Sequence, residues 1–440
     1  MDARILRRSW RNPPPHDPVP NTNELVTPPH PSDEKEWTSR KRTYCAQALI
    51  LFNAYGIPLS FGPYLEYYYN TMYPHTPLWQ LSLIPAVQVF LLFSMGPVGR
   101  WLYDHRVYRT SIFFATLLGS ACLAVAGSNC RQFWQALIAQ GVGLGVSLGI
   151  LLAIGRLSLS SHYKNNFPLA SMISASAGFV GALVYTAVGY GCLRVNKIML
   201  LSWLNAAITL ATLLVALGLV RRSKRYTLPA GPPTPILSIF RNTSSSLFLV
   251  GFFCVFFSLF AWPVHIVLFL SNGPGHIWPE TATIILMATF GIAIFFAAYA
   301  ANPYSRRSFG PVNTFIAASL LGGLCPLSPA WMPFSEVVSG YSVAYGTVLG
   351  AVLALHVKVI SVFCSGDGKV FVDMPTQVSR VMSLAGLVAA VGIVAMSALA
   401  TAGEQGLAWA WTVSGLVMFV GGLLVGVARW LRCRGFYVAI

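Results

Sequence analysis

The chain has 440 residues, 55% of them hydrophobic and only 10% charged, which excludes an ordinary water-soluble globular protein. Its formal net charge of +16 would suit a nucleic-acid binder. The charge, however, is spread over many short connections, and no base-stacking platform or basic recognition helix accompanies it.

In chain order, residues 1–43 are polar, basic and Pro-rich (Pro13, Pro14, Pro15, Pro28, Pro29, Pro31) and read as a disordered cytoplasmic tail without a signal peptide. Hydrophobic stretches of about 20 residues then recur, each long enough to cross a hydrocarbon core as a helix. They lie near 44–66, 78–99, 110–128, 133–155, 167–190, 198–220, 246–270, 280–301, 310–330, 337–361, 378–401 and 407–428. No alternating strand pattern appears, so a barrel is excluded. The longest internal polar stretch, 221–245, carries Pro229, Pro232, Pro233 and Pro235, which prevent a long helix there. The sequence therefore predicts an all-α membrane protein of twelve transmembrane helices. A half spans 44–220, a cytoplasmic loop 221–245, a second half 246–428 and a short tail 429–440.

All but three of the 29 lysines and arginines fall on one side of this plot. The exceptions are Arg131, Arg194 and Lys197. Cytoplasmic connections retain Lys and Arg, so the basic side, with both termini, is expected in the cytoplasm. The eight cysteines form no close metal-type pair, and no HExxH, His-rich box or paired catalytic carboxylates occur. No enzyme activity, metal or cofactor is expected. Gly141-x-Gly143-x-Gly145 follows no strand and lacks a Walker lysine, so it reads as helix packing rather than a nucleotide loop.

Six plus six spans around a basic loop is the plan of major facilitator transporters. After the second span, Gly96-Pro97-Val98-Gly99-Arg100-Trp101-Leu102-Tyr103-Asp104-His105-Arg106-Val107-Tyr108-Arg109 resembles that superfamily's loop signature. Gly99, Arg100, Asp104 and Arg109 are its gating residues by this likeness. Gly99 permits close backbone approach, and Asp104 can pair with cations or a helix N-terminus across the two halves. Ser60-Phe61-Gly62-Pro63-Tyr64-Leu65-Glu66-Tyr67-Tyr68, Gln88–Phe93, Gln140–Gly145 and Phe256–Phe260 resemble stretches of fungal monocarboxylate-transporter-like proteins. Animal members carry a Lys in the first span and an Asp/Arg pair in the eighth. Here those regions read Gly56-Ile57-Pro58-Leu59-Ser60 and Phe290–Phe296, the latter wholly apolar. The resemblance thus implies the fold but not lactate-type recognition.

In the superfamily, spans 1, 4, 7 and 10 line the central path. The resemblance therefore makes Asn53 and Tyr64, Gln140 and Arg156, Trp262 and His265, and Tyr345 candidate substrate-binding residues. His265 is the titratable side chain placed deepest, and so the candidate proton-coupling residue, with Glu66 next. His356 and Lys358 are placed toward the cytoplasmic end of span 10. The expected function is secondary transport of a small organic solute by alternating access. The solute is read as a monocarboxylate-like compound or a fungal secondary metabolite, with protons as candidate coupling ion. The alternative is a non-transporting membrane sensor with the same fold. The lipid bilayer is the remaining partner, in the plasma membrane; no nucleic acid or obligate protein partner is evident. The orientation makes a prediction: the sequon Asn242-Thr243-Ser244 stays unmodified in a eukaryotic host. A glycan at Asn242, read as an endoglycosidase-sensitive mass shift, would reverse the topology.

Overall fold

The computed structural model describes residues 31–128, 130–163, 166–195, 197–223, 242–272, 277–331, 335–364, 374–403 and 405–433. Side chains are described from residue 36 onward, except those of 328–335 and 364. Most of the tail and of the central loop, with Lys224, Arg225 and Arg241, lies outside the described residues, as do Lys164 and Lys369 in shorter connections. The chain divides into two compact units, Met1–Ser39 and Arg40–Ile440, and the second contains the membrane-spanning bundle.

Eleven helices among the described residues are long and apolar enough to cross a membrane. They are α1 (Glu36–Met72), α2 (Leu78–Asp104), α3 (Tyr108–Ser128), α4 (Phe133–His162), α5 (Phe167–Leu193), α6 (Ile198–Leu219), α7 (Thr243–Asn272), α8 (Pro279–Ala301), α10 (Glu336–Phe363), α11 (Met374–Ala400) and α12 (Gly406–Arg432). Between α8 and α10 lies α9 (Pro311–Trp331), whose apolar stretch is shorter. The twelve helices follow the spans read from the sequence. The helix leading into α1 begins at Pro31, inside the stretch expected as tail.

Where water is absent, helices must satisfy their own backbone, so a proline's effects have to be met locally. Pro58 and Pro63 coincide with two interruptions of α1, at Tyr55 and at Ser60–Phe61. Pro263 coincides with the break of α7 at Phe260. Each proline leaves the carbonyl four residues earlier without its helical donor. Pro97 does this to Phe93, and Ser383 Oγ of α11 donates to that oxygen at 3.1 Å. Pro263 does it to Leu259, and the Tyr345 hydroxyl of α10 donates there at 3.4 Å.

Small residues set the distances between helices. A Cβ on Gly145 or Gly149 of α4 would lie 3.0 Å from Leu91 Cβ or 2.5 Å from the Leu91 carbonyl oxygen of α2. On Gly181 of α5 it would lie 1.8 Å from the Phe52 carbonyl oxygen of α1. Gly99 meets Ala153 of α4 in the same way, at 2.4 Å. Between the halves, Gly96 of α2 sits on Ser379 and Gly386 of α11 on Phe93. The outer surface is apolar: Leu416, Val420, Leu423 and Val427 form one exposed stripe along α12, and Phe114, Val215 and Phe295 are exposed on α3, α6 and α8. Exposed Trp134, Trp278 and Trp409 mark one end, and Trp101 and Trp430 the other, as aromatic belts do.

Gly181→Leu should therefore lower the thermal unfolding midpoint in detergent and the yield of monodisperse protein. Overpacking typically costs about 1–3 kcal/mol, and here the obstacle is backbone that cannot rotate away. Gly189→Ala, where a Cβ meets nothing within 4 Å, should leave both unchanged.

Candidate functional site

Helices α1, α4, α7 and α10 come together along the seam between the halves. Arg156 of α4 is only 6% exposed, about 9 Å inside the end of its helix. Its Nη2 donates to the Tyr55 hydroxyl of α1 at 3.0 Å and lies 3.2 Å from His356 Nε2 of α10. A cation at this depth costs a few kcal/mol or more unless it is partnered. Its described partners are a phenol and an imidazole, not a carboxylate. The Tyr55 ring also packs on His356 (6.5 Å) and on Phe93 of α2 (6.3 Å). Phe93 in turn meets Phe256 and Phe260 of α7 edge-on at 6.3 and 6.0 Å, so aromatic rings bridge the halves beside the buried cation.

A second crossing joins His265 of α7 to Ser82 of α2, with Nε2 and Oγ 3.1 Å apart. His265 is fully buried, and its Nδ1 lies 2.9 Å from the Ala261 carbonyl. A carbonyl only accepts, so Nδ1 carries the hydrogen and the Ser82 hydroxyl donates to Nε2. The third crossing lies at the non-basic face. Asn70 of α1 and Asn272 of α7 exchange amide contacts at 3.2 and 3.5 Å. Asn70 also donates to Glu66 at 2.9 Å, so Glu66 is held next to this amide pair, half-buried.

Two wide turns with hydrogen bonds five residues apart flank this face, Tyr68–Met72 in α1 and Leu137–Gly143 in α4. Gln140 of the second accepts from the Tyr68 hydroxyl of the first at 2.8 Å. Such turns recur at functional positions in helices. Beyond them, Tyr73 donates to the Cys130 carbonyl at 2.7 Å, and burial raises its phenol above the ordinary tyrosine range.

The remaining candidates sit inside one half or the other. The Asn53 side chain is engaged on both sides: it donates to Leu49 O and Thr212 Oγ1 at 2.8 and 3.0 Å and accepts from Tyr185 at 2.6 Å. Tyr64 accepts from Asn205 of α6 and stacks on Phe61. Both residues thus tie α1 to α5 and α6. Trp262 donates to Ser342 of α10 at 3.3 Å, stacks on Tyr345 (5.0 Å) and packs at a tilt on Trp411 of α12 (4.5 Å). Tyr345 serves the backbone opened by Pro263. At the basic face, Asp104 pairs with Arg100 of its own helix at 2.7 Å. Arg100 then reaches Thr376 of α11 at 3.1 Å, so the crossing is made by Arg100 and oriented by Asp104. Arg109 approaches the Val220 carbonyl at 3.5 Å, beyond the end of α6.

The structure thus brings Arg156, His265 and the Glu66 neighbourhood to the seam, together with Ser82, Phe93, Asn70, Asn272 and His356, which sequence reasoning did not place there. Their usable signals were small. Pro97 marks Phe93 as a residue with a free carbonyl, and a histidine in an apolar span needs a partner somewhere. Gln47 of α1 and Gln88 of α2 are buried, and neither amide atom of either has a hydrogen-bond partner among the described residues.

No protein-family model matches the chain. It is 25% identical over 346 residues to an "MFS-type transporter" of Gibberella zeae, covering 77% of this chain and 76% of that protein. It is 23% identical over 352 residues to the "Aspyridones efflux protein" of Emericella nidulans, covering 77% and 68%. The crystal structure of a D-xylose-proton symporter superposes with a TM-score of 0.67 at 10% identity, covering 88% of this chain and 96% of that one. The chain has the major facilitator fold, is an integral multi-pass membrane protein, and resembles fungal transporters of that superfamily.

Proposed function

We propose that this protein is a secondary transporter that moves a bulky, weakly acidic organic solute by alternating access. Its basic face is turned to the cytoplasm and its membrane is the plasma membrane. The observation that carries the reading is the chemistry of the seam. The halves are bridged toward the non-basic face by Asn70–Asn272, on α1 and α7, and toward the basic face by Arg156–His356, on α4 and α10. Both are hydrogen-bonded contacts between side chains, which can be made and broken in turn, and together they close the seam between α1, α4, α7 and α10.

Between them lie the solute's recognition groups in this reading. Tyr55, Phe93, Phe256 and Phe260 supply aromatic surface. Arg156 supplies a desolvated cation for an acidic group, and Gln88, whose amide has no hydrogen-bond partner among the described residues, hydrogen-bonds polar substituents. This suits a fungal secondary metabolite or a monocarboxylate-like compound. Relatives named as efflux proteins for aspyridones and fujikurins support export as the working direction. Asn53, Tyr64, Gln140, Trp262 and Tyr345 act in this reading by holding the path helices in register. His265 and Glu66 sit at contacts that change as the seam opens.

Two results test it in reconstituted vesicles over a panel of aromatic organic acids. With Asn70 and Asn272 both changed to cysteine, oxidation should cross-link α1 to α7 and lower flux by about tenfold or more, because one face can no longer open. A reductant should restore it. Full flux through fully cross-linked protein sinks alternating access at this seam, and solute binding without any flux favours the sensor instead. Asp104→Asn, which removes the ion pair with Arg100, should lower flux a few-fold with little loss of folded protein, since an exposed pair contributes about 1 kcal/mol at most. Unchanged flux at equal expression removes Asp104 from the gate.

A further inference from the structure

The two histidines of the seam differ in what a proton would do to them. In both, Nδ1 faces a carbonyl of the same helix: Ala261 at 2.9 Å for His265 and Leu353 at 2.7 Å for His356. Each carbonyl can only accept, so in each ring the hydrogen is on Nδ1 and Nε2 presents a lone pair across the seam. The partners there are not equivalent. Ser82 is a hydroxyl, which donates to a neutral imidazole and can rotate to accept from a charged one. The His265–Ser82 crossing therefore survives protonation. Arg156 is a guanidinium, which has donors only and keeps its charge. The 3.2 Å contact from Arg156 Nη2 to His356 Nε2 exists only while that nitrogen is unprotonated.

We propose that His356 is a proton-binding residue whose charging releases the bridge between α4 and α10. A proton arriving on Nε2 occupies the lone pair that Arg156 uses. The Nη2–H···Nε2 hydrogen bond is lost, and two cations stand side by side at 2% and 6% exposure. The Tyr55 hydroxyl can still accept from Arg156 but bears no charge to hold the pair together. At 4 Å or less in a poorly solvated site, like charges repel by several kcal/mol even at an effective dielectric of about 20. The seam parts at this point.

The charged and titratable groups facing His356 are Arg156 from α4 and Tyr55 from α1. On its own helix Lys358 is half-buried two residues on. The acids of α1, α8 and α10 near the opposite face are Glu66, Glu280 and Glu336, the last two in first turns. No carboxylate is therefore placed at this depth on those helices to neutralise the new charge. Glutamine at 356 could accept from Arg156 through its amide oxygen but could not titrate. Glutamine at 156 would accept from a protonated His356 and so keep the bridge in acid.

The inference rests on the alternating-access reading for its consequence, that a proton on His356 unlocks the basic face. Its test uses no solute, so a failure to find flux leaves it standing and a failure here leaves transport standing. Spin labels are placed at exposed Asn166→Cys in the first half and Ser308→Cys in the second, both at the basic face, with Cys45 and Cys433 replaced by serine. Pulsed electron resonance then reads the distance distribution in nanodiscs at about pH 8 and about pH 5. The longer-distance population should grow roughly threefold or more in acid. His356→Gln should abolish that response and keep the short distance at both values. Arg156→Gln, an independent variant should the first misfold, should do the same. A wild type indifferent to pH, or a full response in either His356→Gln or Arg156→Gln, overturns the proposal.

Discussion

Hydrocarbon offers no hydrogen bonds, so backbone donors and acceptors carried into the bilayer have to be answered by another part of the chain. Proline makes the constraint visible here. Pro97 frees the Phe93 carbonyl, and the answering hydroxyl comes from Ser383 on the other side of the seam. Pro263 frees the Leu259 carbonyl, and Tyr345 answers it from α10. A local defect in one helix thereby becomes a contact with another, and the defects that allow a helix to bend are also where it is tied. The same constraint explains the Asn53–Tyr185–Thr212 lattice inside the first half: a fully buried amide collects hydroxyls from α5 and α6.

Glycines bring helices into close contact both inside a half, where Gly181 meets the backbone of α1, and between halves, where Gly62 meets the Pro263 carbonyl. Inside a half, such packing has one low-energy arrangement and gives rigid bodies. Across the seam, polar side chains contribute the described bridges on α1–α7 and α4–α10. Each such hydrogen bond contributes only about 1 kcal/mol net and can be exchanged for solvent or solute, which is what the proposed alternation asks of the contacts between halves.

Charge follows the same logic. Nearly all of it lies near the ends of the spans or in the connections between them. Arg156 is the exception in the path, and its surroundings, a phenol and a neutral-form imidazole, hold it without cancelling it. A carboxylate partner would have neutralised the site; these partners leave a field that an acidic group can occupy. Asp104, by contrast, does pair, but with Arg100 one turn away, so its influence on the other half passes through a second side chain.

The span count, the six-and-six division and the basic face were legible because each depends on local properties: runs of apolar residues, prolines in a polar stretch, and positive charge in short connections. The packing role of Gly141 and Gly145 was legible for the same reason, since four-residue spacing places small residues on one helix face. The path residues were legible only as helix membership. Asn53 and Arg156 were equal candidates on that basis. The tertiary structure turns one toward α5 and α6 and the other toward a histidine 200 residues away in the chain. The sequence ranked His265 above His356 by depth alone; their partners, a serine and an arginine, are set by the tertiary structure. In spans apolar almost all round, no polar stripe reveals which way a side chain points. Rotation about each helix axis, and the height at which two helices meet, are decided by packing against neighbours distant in sequence.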